Sequence, residues 1–357
     1  MRSVSFRAAL AAAVVLVFAP LEAAFGWGQV RVVAFGDSLL DAGTYAPFAS
    51  KAPFNGGRFT TNPGLNVTQD IAQHYGDTLT PAFVGGFGSC LTANGGLDFA
   101  QGGSRVSMQP GIDYAPDCAQ ATTVPVKDQV NLYLSAYGRF NSNQLVLING
   151  GADDVLYQLA IAEEVGTPQA LLAALEAIAQ SAVDLSKILE TVVAKGAAHV
   201  VVSNLPDIGK SPAGVASPDH GKLLTEVSQL FNATLAFALQ LQKKNFGGKV
   251  ILIDAFNFVD SLVANYQKFG FSVPNTGTAC NLAAQVTIAA SLCPANPGSL
   301  YCTNPTLFDS SLFCSPNTYT AQDADRNFIF ADEIHPTTHT NALVAVYVEQ
   351  QIAAARW

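Results

Sequence analysis

The chain has 357 residues, of which 49% are hydrophobic and only 13% charged, and its formal net charge is −9. That length and apolar content support a large core in one domain, while a charge content well below the roughly 25% usual for globular proteins leaves Asn, Gln, Ser and Thr to solvate the surface. With net negative charge and no basic cluster, nucleic acid and anionic membrane surfaces are disfavoured as partners, because both are held through Lys and Arg patches.

The first thirty residues, "MRSVSFRAALAAAVVLVFAPLEAAFGWGQV", set two arginines before an apolar run from Ala8 to Ala19, followed by small residues up to Gly26. This is the pattern of a secretory signal peptide spanning residues 1–26. The run falls short of the ~20 residues that a membrane span requires. A secreted or periplasmic protein is therefore expected, monomeric, with residues 27–357 as a single domain. Six cysteines, at positions 90, 118, 280, 293, 302 and 314, form an even set suited to disulfides in an oxidising compartment. Pairing Cys90 with Cys118, and the other four among themselves, is the simplest arrangement. The segment 280–314 reads as an irregular insert stapled shut. With no Cys-x-x-Cys pair or nearby histidine, zinc is not expected there, and no metal or cofactor is expected elsewhere.

In chain order, short β-branched runs occur at 31–35 (RVVAF), 144–149 (QLVLIN), 199–205 (HVVVSNL) and 249–256 (KVILIDAF), with a weaker run at 97–100 (LDFA). Each reads as a buried strand. Helical patterns lie between them at 66–75, 126–138, 167–196 and 220–248; the third opens with Thr167-Pro168 and closes at Gly196, favoured start and stop signals. Strands apolar on both faces and alternating with helices imply an α/β protein, a three-layer α/β/α sandwich around a parallel sheet. "NVT" at 66–68 and "NAT" at 232–234 match the N-glycosylation pattern, but neither is assigned a glycan here.

The first strand ends in "GDS", residues 36–38. In an open parallel sheet, ligands gather at the carboxyl ends of the strands, so Ser38 is either a nucleophile presented there or an ordinary helix N-cap. A nucleophilic serine needs a base. Among the five histidines, His335 alone has a carboxylate at a revealing spacing, in "FADEIHPTTHTNA" at 330–342. Pro336 pushes His335 out of the helical region, so residues 332–335 should form a turn in which Asp332 folds back onto Nδ1 and leaves Nε2 outward. Thr337 or Thr338 then caps the C-terminal helix. Pro336 also disfavours the metal reading of His335 with His339, since it keeps the pair off one helix face.

"FGDSLLDAG" near the start of the mature chain, "DFAQGGSRV" at 98–106, "NGGADDV" at 149–155 and "DEIHPTTH" at 332–339 resemble, in order, the four sequence blocks of the GDSL-type lipase/esterase family, the SGNH hydrolases. "GGRFTTNPG" at 56–64 is similar to a segment of its secreted bacterial members. The resemblance implies a flavodoxin-like fold, Ser38 as nucleophile, His335 as base and Asp332 as its partner. It also implies an oxyanion hole made of the Ser38 N–H, the Gly102 N–H, with Gly103 a near-equal candidate, and a side-chain amide at position 153. Here the chain departs from the family: Asp153 stands where an Asn is usual. An ionised carboxylate has no proton to donate. Asp153 is held protonated, or Asn149 supplies the amide, or the hole runs on two backbone donors in a slower enzyme. The last is the expectation, in which case Asp153→Asn raises kcat. The function expected is cleavage of carboxylic esters through an acyl-serine. The alternatives are an acyltransferase using the same residues, or an acyl- or glycan-binding protein weakened by the Asn-to-Asp change. The insert at 280–314 is either a roof over the site or a stabilised surface loop.

Overall fold

The structure, a computed structural model, describes residues 30–357, so the signal peptide expected at residues 1–26 lies outside the described residues. Eight strands form among them: β1 Arg31–Phe35, β2 Phe83–Gly86, β3 Ser89–Ala93, β4 Gln144–Ile148, β5 His199–Ser203, β6 Val250–Ile253, β7 Val273–Thr278 and β8 Phe328–Phe330. Four of them, in the order β1-β4-β5-β6, make a parallel sheet whose register sets Val33 beside Val146 and Ile148 beside Val202. The 97–100 segment is more than a loop and less than a strand. Asp98 bridges Ala34 in parallel, and the Phe99 N–H donates to the Ala34 carbonyl at 2.8 Å. It therefore sits at the free edge of β1, which gives the strand sequence the 2-1-3-4-5 order of a flavodoxin-like sheet.

Side-chain alternation buries both faces of this sheet. Val33, Phe35, Val146, Ile148, Val200 and Val202 pack on one side against the helices Val126–Tyr137, Pro168–Ala194 and Lys222–Leu241. Val32, Ala34, Leu145, Leu147 and Val201 face the other way, onto the helices Val67–His74 and Thr338–Ala354. The result is the expected three-layer sandwich. The long helix begins where its sequence says, with the Thr167 side chain accepting from the Ala170 N–H at 3.2 Å and proline in the first turn. The helical pattern at 220–248 divides in two, into Lys222–Leu241 and the short Lys243–Phe246.

Several elements differ from the sequence-based expectation. Residues 152–165, which carry no helical expectation, form the helix Ala152–Val165 directly behind the third block. The Cys-rich insert is not irregular throughout, because it carries the helix Leu282–Leu292. Its cysteines pair as Cys280–Cys314 and Cys293–Cys302, while Cys90–Cys118 ties down the hairpin β2–β3. Both Asn-x-Thr asparagines are structural. Asn66 caps the helix Val67–His74 from a buried position, and Asn232 exchanges two 2.8 Å hydrogen bonds with the Leu205 backbone.

Candidate active site

Order reverses in the sheet between β1 and β4, and there the two carboxyl ends leave a crevice. Residues 36–38 follow β1 and Asn149 follows β4, so the two meet at this point. The Asp37 N–H donates to Asn149 Oδ1 at 3.1 Å, and Asn149 Nδ2 donates to Asp37 Oδ1 at 2.7 Å. Gln129 grips the preceding residue on both sides, accepting from the Gly36 N–H and donating to the Gly36 carbonyl, each at 2.8 Å. A Cβ at position 36 would run into the Asn149 side chain, which is why glycine precedes Asp37. These buried polar clamps fix the turn that carries Ser38.

Ser38 itself does not cap a helix. No helix follows at once; residues 38–40 form a turn that Asp37 holds, accepting from the Leu39 N–H at 3.0 Å through its carboxylate and from Leu40 and Asp41 through its carbonyl. The Ser38 side chain is thereby left for His335, whose Nε2 lies 2.8 Å from Ser38 Oγ. His335 Nδ1 lies 2.7 Å from Asp332 Oδ2. The turn at 332–335 is the one expected. Asp332 Oδ1 accepts from the N–H groups of Ile334 and His335, at 2.9 and 2.7 Å, and Thr337 caps the following helix. Burial opposes ionisation of Asp332, but the charge and hydrogen bonds of His335, together with Ser311, hold its carboxyl well below the usual carboxylate range. Burial likewise disfavours the imidazolium, yet Asp332 and then Asp37 raise His335 above its ordinary value.

One partner of Asp332 has no signal in the sequence. The Ser311 N–H, from the Cys-rich insert, donates to Asp332 Oδ2 at 2.7 Å. Gln285, on the insert's helix, holds this strip by donating to the carbonyls of Phe308 and Ser310 at 2.8 and 2.9 Å. Leu307, Ser310, Leu312 and Phe313 of the insert also line the pocket above Ser38, a cavity of about 170 Å³. The insert is thus part of the site's wall.

The residues expected around the oxyanion fare differently. Gly102, Gly103 and Asp153 all line the pocket with Ser38 and His335. The Gly102 N–H, however, donates to Asp41 Oδ2 at 2.9 Å. Among the described residues no acceptor faces the N–H groups of Ser38 or Gly103. Asn149 does not reach the pocket, since its amide is committed to Asp37. Asp153 is 7% exposed, and its Oδ2 is buried without a hydrogen-bond partner. Burial first, then the carboxylates of Asp37, Asp154 and Asp113, push its pKa well above the ordinary carboxylate value, against a weaker pull from Arg105. Burial and its acidic neighbours thus bias Asp153 toward the protonated form, the direction that the first of the three readings requires. Asp154 beside it belongs to the scaffold, pairing with Arg105 Nε at 3.1 Å and accepting from the Val106 N–H at 2.8 Å. Among the described residues no group of three metal-binding side chains forms.

The family model for GDSL-like lipases and acylhydrolases matches residues 32–348. The chain belongs to that family. By that membership it is a carboxylic ester hydrolase. Among curated proteins it is similar to GDSL esterase/lipase At4g16230 of Arabidopsis thaliana, 26% identical over 344 residues that cover 87% of this chain and 84% of the relative. It is also 26% identical to GDSL esterase/lipase APG of the same plant over 168 residues, covering 45% of this chain and 41% of the relative. The expected leaning toward bacterial members finds no support in these plant relatives. No helix among the described residues of this GDSL hydrolase is long and apolar enough to cross a membrane.

Proposed function

We propose that this GDSL hydrolase is an exported serine esterase that works through an acyl-serine, with Ser38 as nucleophile, His335 as general base and Asp332 as the partner that orients it. The observation that carries this reading is the unbroken line Ser38 Oγ to His335 Nε2 at 2.8 Å and His335 Nδ1 to Asp332 Oδ2 at 2.7 Å. His335 takes the Ser38 proton as Oγ attacks the ester carbonyl, and the resulting imidazolium returns a proton to the departing alcohol. Water then attacks the acyl-serine by the same route and releases the acid. Negative charge on the former carbonyl oxygen is met by the Ser38 N–H, by the free Gly103 N–H in place of the occupied Gly102 N–H, and by the acid O–H of Asp153. Three disulfides support an oxidising compartment.

The decisive experiment compares the purified protein with Ser38→Ala on p-nitrophenyl acetate and butyrate, with mass spectrometry of the protein after treatment with a fluorophosphonate. The wild type turns over and gains one adduct at Ser38, and the variant does neither. Equal hydrolysis by the two proteins would falsify the serine mechanism.

A further inference from the structure

A second cavity has no residue of the insert in its lining. It measures about 140 Å³ and sits between the sheet floor at Leu147 and Val201, the helix Ala255–Ala264 and the C-terminal helix Thr338–Ala354. Its exposed lining is overwhelmingly apolar. Nothing in the reaction described above uses it. Four of its wall residues, Leu39, Pro206, Ile208 and Ile334, are also walls of the Ser38 pocket. Two of these adjoin the reacting groups in the chain, Leu39 following Ser38 and Ile334 preceding His335. The two cavities therefore share a ring of apolar wall residues beside the nucleophile.

We infer that this second cavity receives the acyl chain of the substrate, making the protein selective for esters of medium-chain fatty acids, with the alcohol part left in the pocket beneath the insert. The inference rests on the esterase reading above. The exposed surface of the cavity is overwhelmingly apolar, and an apolar cavity of about 150 Å³ accommodates a benzene ring, roughly six carbons. Adding the carbons that cross the ring of Leu39, Pro206, Ile208 and Ile334 points to chains of roughly eight to ten carbons. The polar side chains in its walls, among them Asn149, Asp207, Ser211 and Asn341, present little surface beside the apolar lining, so desolvation opposes entry of a charged or glycan acyl group. The alcohol is assigned to the other pocket because that space is walled by both polar and aromatic groups, among them Ser310, Asp113 and Tyr45, and tolerates a more varied group.

Each methylene buried in the cavity raises kcat/KM by roughly fourfold, so octanoate should exceed butanoate by about 10²-fold in the wild type. Val344→Phe on the C-terminal helix and Val259→Phe on the facing helix put bulk into the cavity without touching Ser38, His335 or Asp332. Both variants should keep acetate and butanoate hydrolysis within about threefold and lose the octanoate advantage by at least tenfold. Binding of decanoic acid to the unreacted wild-type protein, read by titration calorimetry, should weaken in step. If wild type prefers octanoate and the filled variants keep that preference, the chain lies elsewhere and the inference is wrong. A wild type that hydrolyses acetate but shows no gain with chain length also overturns it. A wild type that hydrolyses no ester overturns the esterase reading instead, and decanoate binding to wild type and the two variants then decides the cavity's occupant on its own. Should a variant lose acetate hydrolysis as well, decanoate binding by wild type decides the matter: affinity weaker than millimolar sinks the proposal, and tighter binding upholds it.

Discussion

Asp332 stays charged in a place that disfavours charge, because three N–H groups and an imidazole surround its two oxygens. Asp332→Asn keeps the shape but supplies a donor where an acceptor is needed, so His335 is held in the wrong tautomer. The expected result is a fall in kcat of about 10⁴-fold with KM little changed. His335 must be neutral to act as base, and its pKa is raised by Asp332. Activity of the wild type should therefore decline on acidification beginning above the ordinary histidine range. Residual activity of the Asn variant should hold to lower pH, which a pH-rate profile of kcat/KM would reveal. Asp153 makes the opposite demand, for it must keep its proton to donate. Asp153→Leu should cost about 10²-fold in kcat at neutral pH. Asp153→Asn should retain a donor at every pH, so the loss of kcat at alkaline pH that accompanies Asp153 ionisation disappears in that variant. If the Asn and Leu variants are equally slow, the acid form of Asp153 has no part in holding the oxyanion.

At the scale of elements, the site is assembled by ties between segments far apart in sequence. Arg105 and Asp154 join the second and third blocks through a pair in which both side chains are nearly inaccessible, at 6% and 2% exposure. Truncating one partner strands a buried charge, so Arg105→Ala should lower stability by about 3–5 kcal/mol, measured by urea unfolding. The insert is tied on by Cys280–Cys314, which spans 34 residues and lies beside the strip that supplies Ser311. Replacing both cysteines by alanine should cost about 3–4 kcal/mol by the chain-entropy model. It should also lower kcat, because the loosened insert no longer presents the Ser311 N–H to Asp332. A double variant that is destabilised yet fully active at low temperature would show that the insert only stabilises.

For the molecule as a whole, the buried carboxyl groups set the pH of greatest stability. Asp37, Asp41, Asp98 and Asp153 are nearly inaccessible, and burial is the leading cause that raises each pKa. A carboxyl raised in the folded state binds its proton more tightly there than in the unfolded chain. Its contribution is complete below the unfolded value near ~4 and is lost as pH rises through the folded value. Asp332 acts in the other direction, but its contribution is complete above the ordinary aspartate value and is lost only as pH falls from there through its lowered folded value. The thermal midpoint should therefore be higher near pH 5 than near pH 8. Calorimetry giving the reverse order would mean that these aspartates are ionised in the folded protein.

Sequence alone determined the parts whose causes are local. Apolar β-branched runs of five residues specify strands of the sheet, Thr167-Pro168 specifies a helix start, and the His335-Pro336 pair specifies the turn that brings Asp332 onto the imidazole. Residues 152–165 give no helical signal because their apolar positions form no clear stripe, and that helix is held by packing behind the third block. Tertiary structure alone decided four matters at the site. Asn149 locks Asp37 instead of serving the pocket, Asp41 takes the Gly102 N–H, Ser311 arrives from the insert to hold Asp332, and burial among carboxylates raises the pKa of Asp153. The physical reason is range. Backbone preference is written within a few residues, whereas desolvation and hydrogen-bond pairing depend on which groups, tens or hundreds of positions away, come to share one low-dielectric space.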